Sequence, residues 1–166
     1  MGVRGFGKVT TVPSFSRDLF KIRISGPVGL NLSIVDLPGI ILVPNKEQTE
    51  DDVDTVHRLV DQYLKNSRTI ILAVVQAGND IANQSIIRKS RKFDVDGERT
   101  VGIITKPDLI NEGSEKRIAL LAKNQDTTKL ELGYFLLKNP SPSELKSQVD
   151  ALNRESREHS FFQTSP

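Results

Sequence analysis

Three short polar stretches in this chain have residue types and spacing suited to holding a nucleotide. The first is Asp36-Leu37-Pro38-Gly39, which follows the strand-like run Leu30 to Val35. A carboxylate leaving a strand at its C-terminal end can hold a hydrated Mg²⁺, an ion that takes one or two carboxylates plus waters and phosphate oxygens. A Gly three residues later lets a backbone N–H approach a terminal phosphate closely. The second stretch, Thr105-Lys106-Pro107-Asp108, follows Thr100 to Ile104. Asp108 can accept two hydrogen bonds from the N1–H and the exocyclic amine of guanine, a pair of donors that adenine lacks, and a site built on such a group rejects the analogue without its partners. The stem of Lys106 can cover the base plane while its charge stays in water. The third, Lys138-Asn139-Pro140-Ser141, follows Tyr134 to Leu137, and Asn139 can line the base pocket from there. In an open parallel sheet all three would sit at the strands' C-terminal edge, where ligands bind. Taken alone, D-x-x-G is short enough to recur by chance, so the elements that carry these stretches matter.

Those elements are read from periodicity. Leu19 to Ser25 and Leu30 to Val35 alternate enough to predict two strands, joined as a hairpin by Gly26-Pro27-Val28-Gly29. Glu47 to Lys65 predicts a helix with Thr49 as its cap and an apolar stripe of Val53, Val56, Val60 and Tyr63. His57 lies beside that stripe and reads as a surface or a satisfied, half-buried histidine. Thr69 to Val75 is a near-continuous β-branched run and predicts a buried parallel strand. Helices follow over about 82–92, with a basic solvated face (Arg88, Lys89, Arg91, Lys92), over about 114–123, and over 144–159. Strands alternating with helices give the fold class: α/β, a three-layer sheet flanked by helices of the phosphate-loop GTPase type, truncated at its N-terminus. Residues 1–18 read as an irregular leader and 19–166 as one partial domain.

Composition narrows the classes. A chain of 166 residues with 37% hydrophobic and 27% charged residues suits one soluble α/β domain. A net charge of +2 gives no reason to expect nucleic acid or an anionic membrane surface as a partner. The absence of Cys removes disulfides, thiolate zinc sites and thiol catalysis, and fits a reducing, intracellular compartment. No apolar run approaches the length of a membrane span.

With those motifs in place, the chain resembles the GTPase domain of the dynamin superfamily, in particular its fungal dynamin-like and Mx-type members, over about residues 15–166. The resemblance rests on Asp36-Leu37-Pro38-Gly39-Ile40, on Ile70 to Val75 leading into Ala77-Gly78-Asn79-Asp80-Ile81-Ala82, on Thr100 to Asp108, on Leu137-Lys138-Asn139 and on Phe161-Phe162. It implies that Asp36 and Gly39 serve Mg²⁺ and the γ-phosphate, the metal being met through water. It implies that Thr105, Lys106 and Asp108 serve guanine, with Asn139 in the last nucleotide loop, and that Asp80 lies where two GTPase domains pair. The implied cofactor is Mg²⁺ with GTP. The implied partners are a second copy or an intact dynamin-like relative, with membranes or microtubules reached only through other parts of the parent architecture. The implied location is the cytoplasm, including organelle membranes.

The departure from the family lies upstream. The match Gly2-Val3-Arg4-Gly5-Phe6-Gly7-Lys8 fits G-x-x-x-x-G-K, but only Met1 precedes it and Val9 stands where a hydroxyl should ligate the metal. It reads as a coincidence, leaving the phosphate-binding loop and the first switch missing. Because phosphoryl transfer depends on positioning and electrostatics around the phosphates, no catalytic residue is assigned and hydrolysis is expected to be impaired. Two alternatives stand beside this reading: a non-catalytic module that pairs with intact relatives, and a phosphoacceptor receiver domain, which lacks the acidic pair its first strand would need.

Overall fold

The computed structural model describes residues 15, 20–27, 29, 31–43, 48–78, 85–141, 144 and 151–164. The chain forms two compact units, Met1–Ser67 and Arg68–Pro166.

In the first unit the regular element is helix α1, Glu50–Leu64. Its start is fixed by a reciprocal cap. Asp52 N–H donates to Thr49 Oγ1 at 3.2 Å, and the Thr49 N–H and hydroxyl donate to Asp52 Oδ2 at 2.9 and 3.0 Å. Glu50, Asp51 and Asp52 place negative charge at the positive end of the helix dipole. Val56, Val60 and Leu64, four apart, form the buried stripe. The expected helix is therefore present and begins three residues later than its predicted start.

Among the described residues the expected hairpin does not form. Residues 20–25 and 31–40 carry no strand. Their alternating apolar side chains are open to solvent, with Ile24 at 86% and Ile34 at 80% exposure. Period-two alternation is a local signal, whereas a strand needs a partner ladder and a covered face, and a two-stranded hairpin alone is marginal. Asp36 and Gly39 therefore sit in an irregular exposed stretch, not at the end of a strand.

The second unit contains the sheet. Strands β1 (Ile71–Gln76), β2 (Thr100–Thr105) and β3 (Tyr134–Leu137) are parallel in the order β1-β2-β3. The register runs from Ile71↔Thr100 to Gln76↔Thr105 and from Gly102↔Tyr134 to Thr105↔Leu137. Helix α2 (Ser85–Phe93) links the first pair and α3 (Glu115–Ala122) the second. Ile87 of α2 and Ile118 and Leu121 of α3 join Ala73, Val75, Ile104 and Tyr134 in one core. Both helices thus cover the same face, as consecutive crossovers of one hand stepping the same way must. A further helix, α4 (Ala151–Thr164), follows β3. The expected α/β class, with parallel strands alternating with helices, is what the structure has. One detail differs: β1 alternates between buried and exposed positions, with Leu72 at 59% and Val74 at 55% exposure, so it is not buried on both faces.

Two local arrangements fix where β2 lies. Buried Asp94 accepts hydrogen bonds from the N–H groups of Glu98 (3.1 Å) and Arg99 (3.2 Å) and from the Thr100 hydroxyl (2.5 Å). The Arg99 guanidinium donates to the carbonyls of Thr69 (3.0 Å) and Phe93 (2.8 Å). These bonds close the α2–β2 turn, in which Gly97 takes a φ of 73°, and so set which residue starts the strand. Further along β2, a Cβ on Gly102 would stand 2.0 Å from the Tyr134 ring. Only Gly lets that ring lie across the sheet with its hydroxyl donating to the Thr128 carbonyl at 2.9 Å.

Candidate nucleotide-binding site

The strand ends that carry T-K-P-D and K-N-P-S are neighbours. Thr105 and Leu137 are register partners at the C-terminal ends of β2 and β3, so Lys106 to Asp108 and Lys138 to Asn139 leave the sheet side by side. Thr105 holds its end in place: its hydroxyl donates to the Val75 carbonyl at 3.0 Å, and its own carbonyl accepts from Ala77 N–H at 2.9 Å. Lys106 then turns the chain with a left-handed backbone, φ 56° and ψ 48°, unusual for a residue with a side chain. A one-turn 3₁₀ helix, Pro107–Leu109, follows, closed by Leu109 N–H donating to the Lys106 carbonyl at 3.0 Å. Pro107 is buried and anchors this turn, while Lys106 and Asp108 on either side of it are exposed. The conformation therefore fixes the backbone and leaves a cation and a carboxylate, two residues apart, in reach of a ligand. Gly78, after β1, comes close to the same turn; a Cβ there would lie 3.2 Å from the Leu109 carbonyl oxygen.

At the end of β3 the loop is held by α4. Lys138 N–H donates to Glu158 Oε1 at 3.2 Å, and Lys138 Nζ lies 5.6 Å from the Phe161 ring centre. Asn139 Oδ1 accepts from the Arg154 guanidinium at 3.2 Å. Ser141 and Glu144 cap each other: Ser141 N–H donates to Glu144 Oε2 at 2.7 Å and Glu144 N–H to Ser141 Oγ at 3.3 Å. The Ser141 N–H, then its hydroxyl, then Arg157 at 3.0 Å and Lys138 hold the Glu144 carboxyl down at about 2. Lys138, Pro140, Glu144, Arg154, Arg157 and Glu158 line a small surface hollow beside Asn139.

In the first unit, Asp36 is exposed and a Cβ on Gly39 would meet nothing within 4 Å. The protein itself would admit a side chain at 39, so no described neighbour requires glycine there. Asp36 tests a metal role by its donor set. Among the described residues there is no group of three or more His, Cys, Asp or Glu able to hold a metal. A single exposed carboxylate fits a Mg²⁺ that arrives with phosphates and keeps its waters. His57 is satisfied, as expected: its Nε2 bonds the Ile41 carbonyl at 3.0 Å and so ties α1 to the loop after Gly39. Asp80, the expected pairing residue, lies outside the described residues, as do the Gly2–Lys8 match and most of the leader.

Comparison with known proteins decides the family. A model of the dynamin family matches residues 7–107, more than half of the chain. The chain belongs to the dynamin family. Relatives in this family include an interferon-induced GTP-binding protein Mx of Perca fluviatilis, 35% identical over 147 residues, covering 89% of this chain and 48% of the relative. The Mx protein of Dicentrarchus labrax is 35% identical over 147 residues, 89% of this chain and 22% of its own length. Human Mx2 is 34% identical over 151 residues, 91% and 21% respectively. The chain thus spans between about a fifth and a half of these relatives. Dynamin-family membership removes the receiver-domain alternative.

Sequence reasoning missed the residues that hold these loops. Arg154 and Glu158 were visible only as part of a charged helix, and Phe161 only as part of the family resemblance. Asp94-Val95-Asp96-Gly97 repeats the spacing of Asp36…Gly39 yet serves as a turn that starts β2, with its carboxylate spent on the chain's own donors.

Proposed function

We propose that this chain is the guanine-reading part of a dynamin-family GTPase, binding Mg²⁺ with GTP. The observation that carries the reading is the adjacency of Thr105-Lys106-Pro107-Asp108 and Lys138-Asn139 at two register-paired strand ends. Asp108 accepts from the N1–H and amine of guanine, Lys106 covers the ring, and Asn139 closes the pocket. Thr105 acts one step back, spending its hydroxyl on Val75 to hold the turn that presents them. Asp36 meets Mg²⁺ through water, and Gly39 admits the terminal phosphate. In the longer family architecture this binding would serve hydrolysis coupled to self-assembly and to work on membranes, in the cytoplasm. Among the described residues no helix is long and apolar enough to cross a membrane.

Hydrolysis by these 166 residues alone is expected to be weak, because the one G-x-x-x-x-G-K match is followed by Val9 and the reaction depends on a cradle around the β- and γ-phosphates. The same observation favours a second reading, a module that pairs with intact relatives through the stretch containing Asp80. Pull-down with an intact relative separates the two; no association in any nucleotide state removes the second.

Asp108→Asn tests the base assignment. It replaces an acceptor by a donor on one side of the carboxyl, so GTP binding should weaken and xanthosine triphosphate binding should strengthen. An unchanged preference means that Asp108 does not read the base.

A further inference from the structure

The hydrogen bond between Arg154 and Asn139 has a consequence for which purine the pocket accepts. Arg carries only donors, so the atom of Asn139 that it meets at 3.2 Å must be the carboxamide oxygen. That leaves the NH₂ group to donate. Arg154 is one of three residues on a single face of α4, at positions i, i+4 and i+7 with Glu158 and Phe161. All three hold the same two loop residues: Glu158 and Phe161 take the backbone and side chain of Lys138, and Arg154 takes Asn139. The nearby carboxylates are engaged elsewhere, Glu144 with Ser141 and Arg157 and Glu158 with Lys138 N–H.

We propose that Arg154 is a positioning residue for the base pocket, fixing the Asn139 carboxamide so that its NH₂ group faces the acceptor edge of a guanine. The inference rests on the base reading given above. Guanine presents O6 and N7 as acceptors along the edge next to the N1–H that Asp108 takes, whereas adenine places the N6 amine, a donor, at that point. A fixed NH₂ complements the first and opposes the second. Without Arg154 the carboxamide turns over, offers its oxygen, and suits adenine as well as guanine. Arg154 therefore acts on selectivity, which a purely structural clamp would leave unchanged.

The test is calorimetric measurement of GDP and ADP dissociation constants for the 166-residue chain and for Arg154→Ala, Arg154→Lys, Asn139→Ala and the Arg154→Ala/Asn139→Ala pair. Arg154→Ala should lower the GDP-over-ADP preference about three- to tenfold, the range of one net hydrogen bond. Arg154→Lys, which keeps a donor, should recover part of it, and Arg154→Ala should add nothing once Asn139 is Ala. Both residues are exposed, so the core is untouched, and thermal melting of each variant checks this. Retained selectivity in Arg154→Ala, or an equal loss in the Asn139→Ala background, overturns the positioning role while leaving the base reading in place. A wild-type chain that does not distinguish GDP from ADP overturns the base reading, and this inference with it.

Discussion

Replacing Gly102 by Ala should be among the most damaging single-methyl changes this chain can take. The added Cβ would stand 2.0, 2.4 and 2.8 Å from three atoms of the Tyr134 ring, far inside any tolerable separation. The ring cannot move freely, because Tyr134 is buried and its hydroxyl donates to the Thr128 carbonyl at 2.9 Å. Overpacking of this kind costs about 1–3 kcal/mol. Displacing the ring breaks the buried hydrogen bond, and leaving the Thr128 carbonyl without its donor costs about 1–3 kcal/mol more. The expected loss is about 2–6 kcal/mol, a large share of the roughly 5–15 kcal/mol by which domains are stable. Urea denaturation followed by circular dichroism measures it as a fall in midpoint. The clash belongs to the pair, so Gly102→Ala should cost much less in a Tyr134→Leu background. A Gly102→Ala variant within about 0.5 kcal/mol of wild type, the ordinary scatter of surface changes, would refute the β2–β3 packing.

Three further outcomes are expected. Asp94→Asn should destabilise the second unit by about 2–4 kcal/mol, since an amide nitrogen would then face donors at a site where the carboxylate accepts three bonds; denaturant melts read this directly. Burial pushes the Tyr134 hydroxyl from 10.0 up to about 12. The folded state thus holds this proton longer than the unfolded chain, and the stability tied to it is full below pH 10 and lost as pH rises towards 12. Tyr134→Phe, which costs about 1 kcal/mol at neutral pH through the lost hydrogen bond, should flatten that decline; an identical alkaline profile would remove Tyr134 as its source. Finally, chelating Mg²⁺ should weaken GTP binding, and Asp36→Ala should abolish the dependence on Mg²⁺; a variant that keeps it takes Asp36 out of the metal shell.

The parts of this fold that were legible in the sequence are those set by near neighbours along the chain. Helix α1 announced itself through Thr49, Asp52 and the Val56-Val60-Leu64 spacing. The strands β1, β2 and β3 did so through short β-branched or aromatic runs, and the motifs after β2 and β3 follow from that. What could not be read depends on partners distant in sequence. Phe20 to Ile24 and Leu32 to Ile34 have strand periodicity without a ladder to join. Gly102 owes its identity to a ring on the next strand. Arg154 meets Asn139 fifteen residues away, a separation that no local rule reads. The two D-x-x-G stretches make the same point: Asp94 and Asp36 share a spacing, and only the surroundings show that the first carboxylate is consumed by backbone N–H groups and a hydroxyl.

Calorimetric titration of the folded, monodisperse 166-residue chain with GTP and then ATP in Mg²⁺ tests the central claim most directly. Saturable GTP binding with markedly weaker ATP binding is the predicted result, because Asp108 finds its paired donors only on guanine. Equal affinity for both nucleotides, or no binding of either by a chain that melts cooperatively, would contradict a guanine pocket at the ends of β2 and β3.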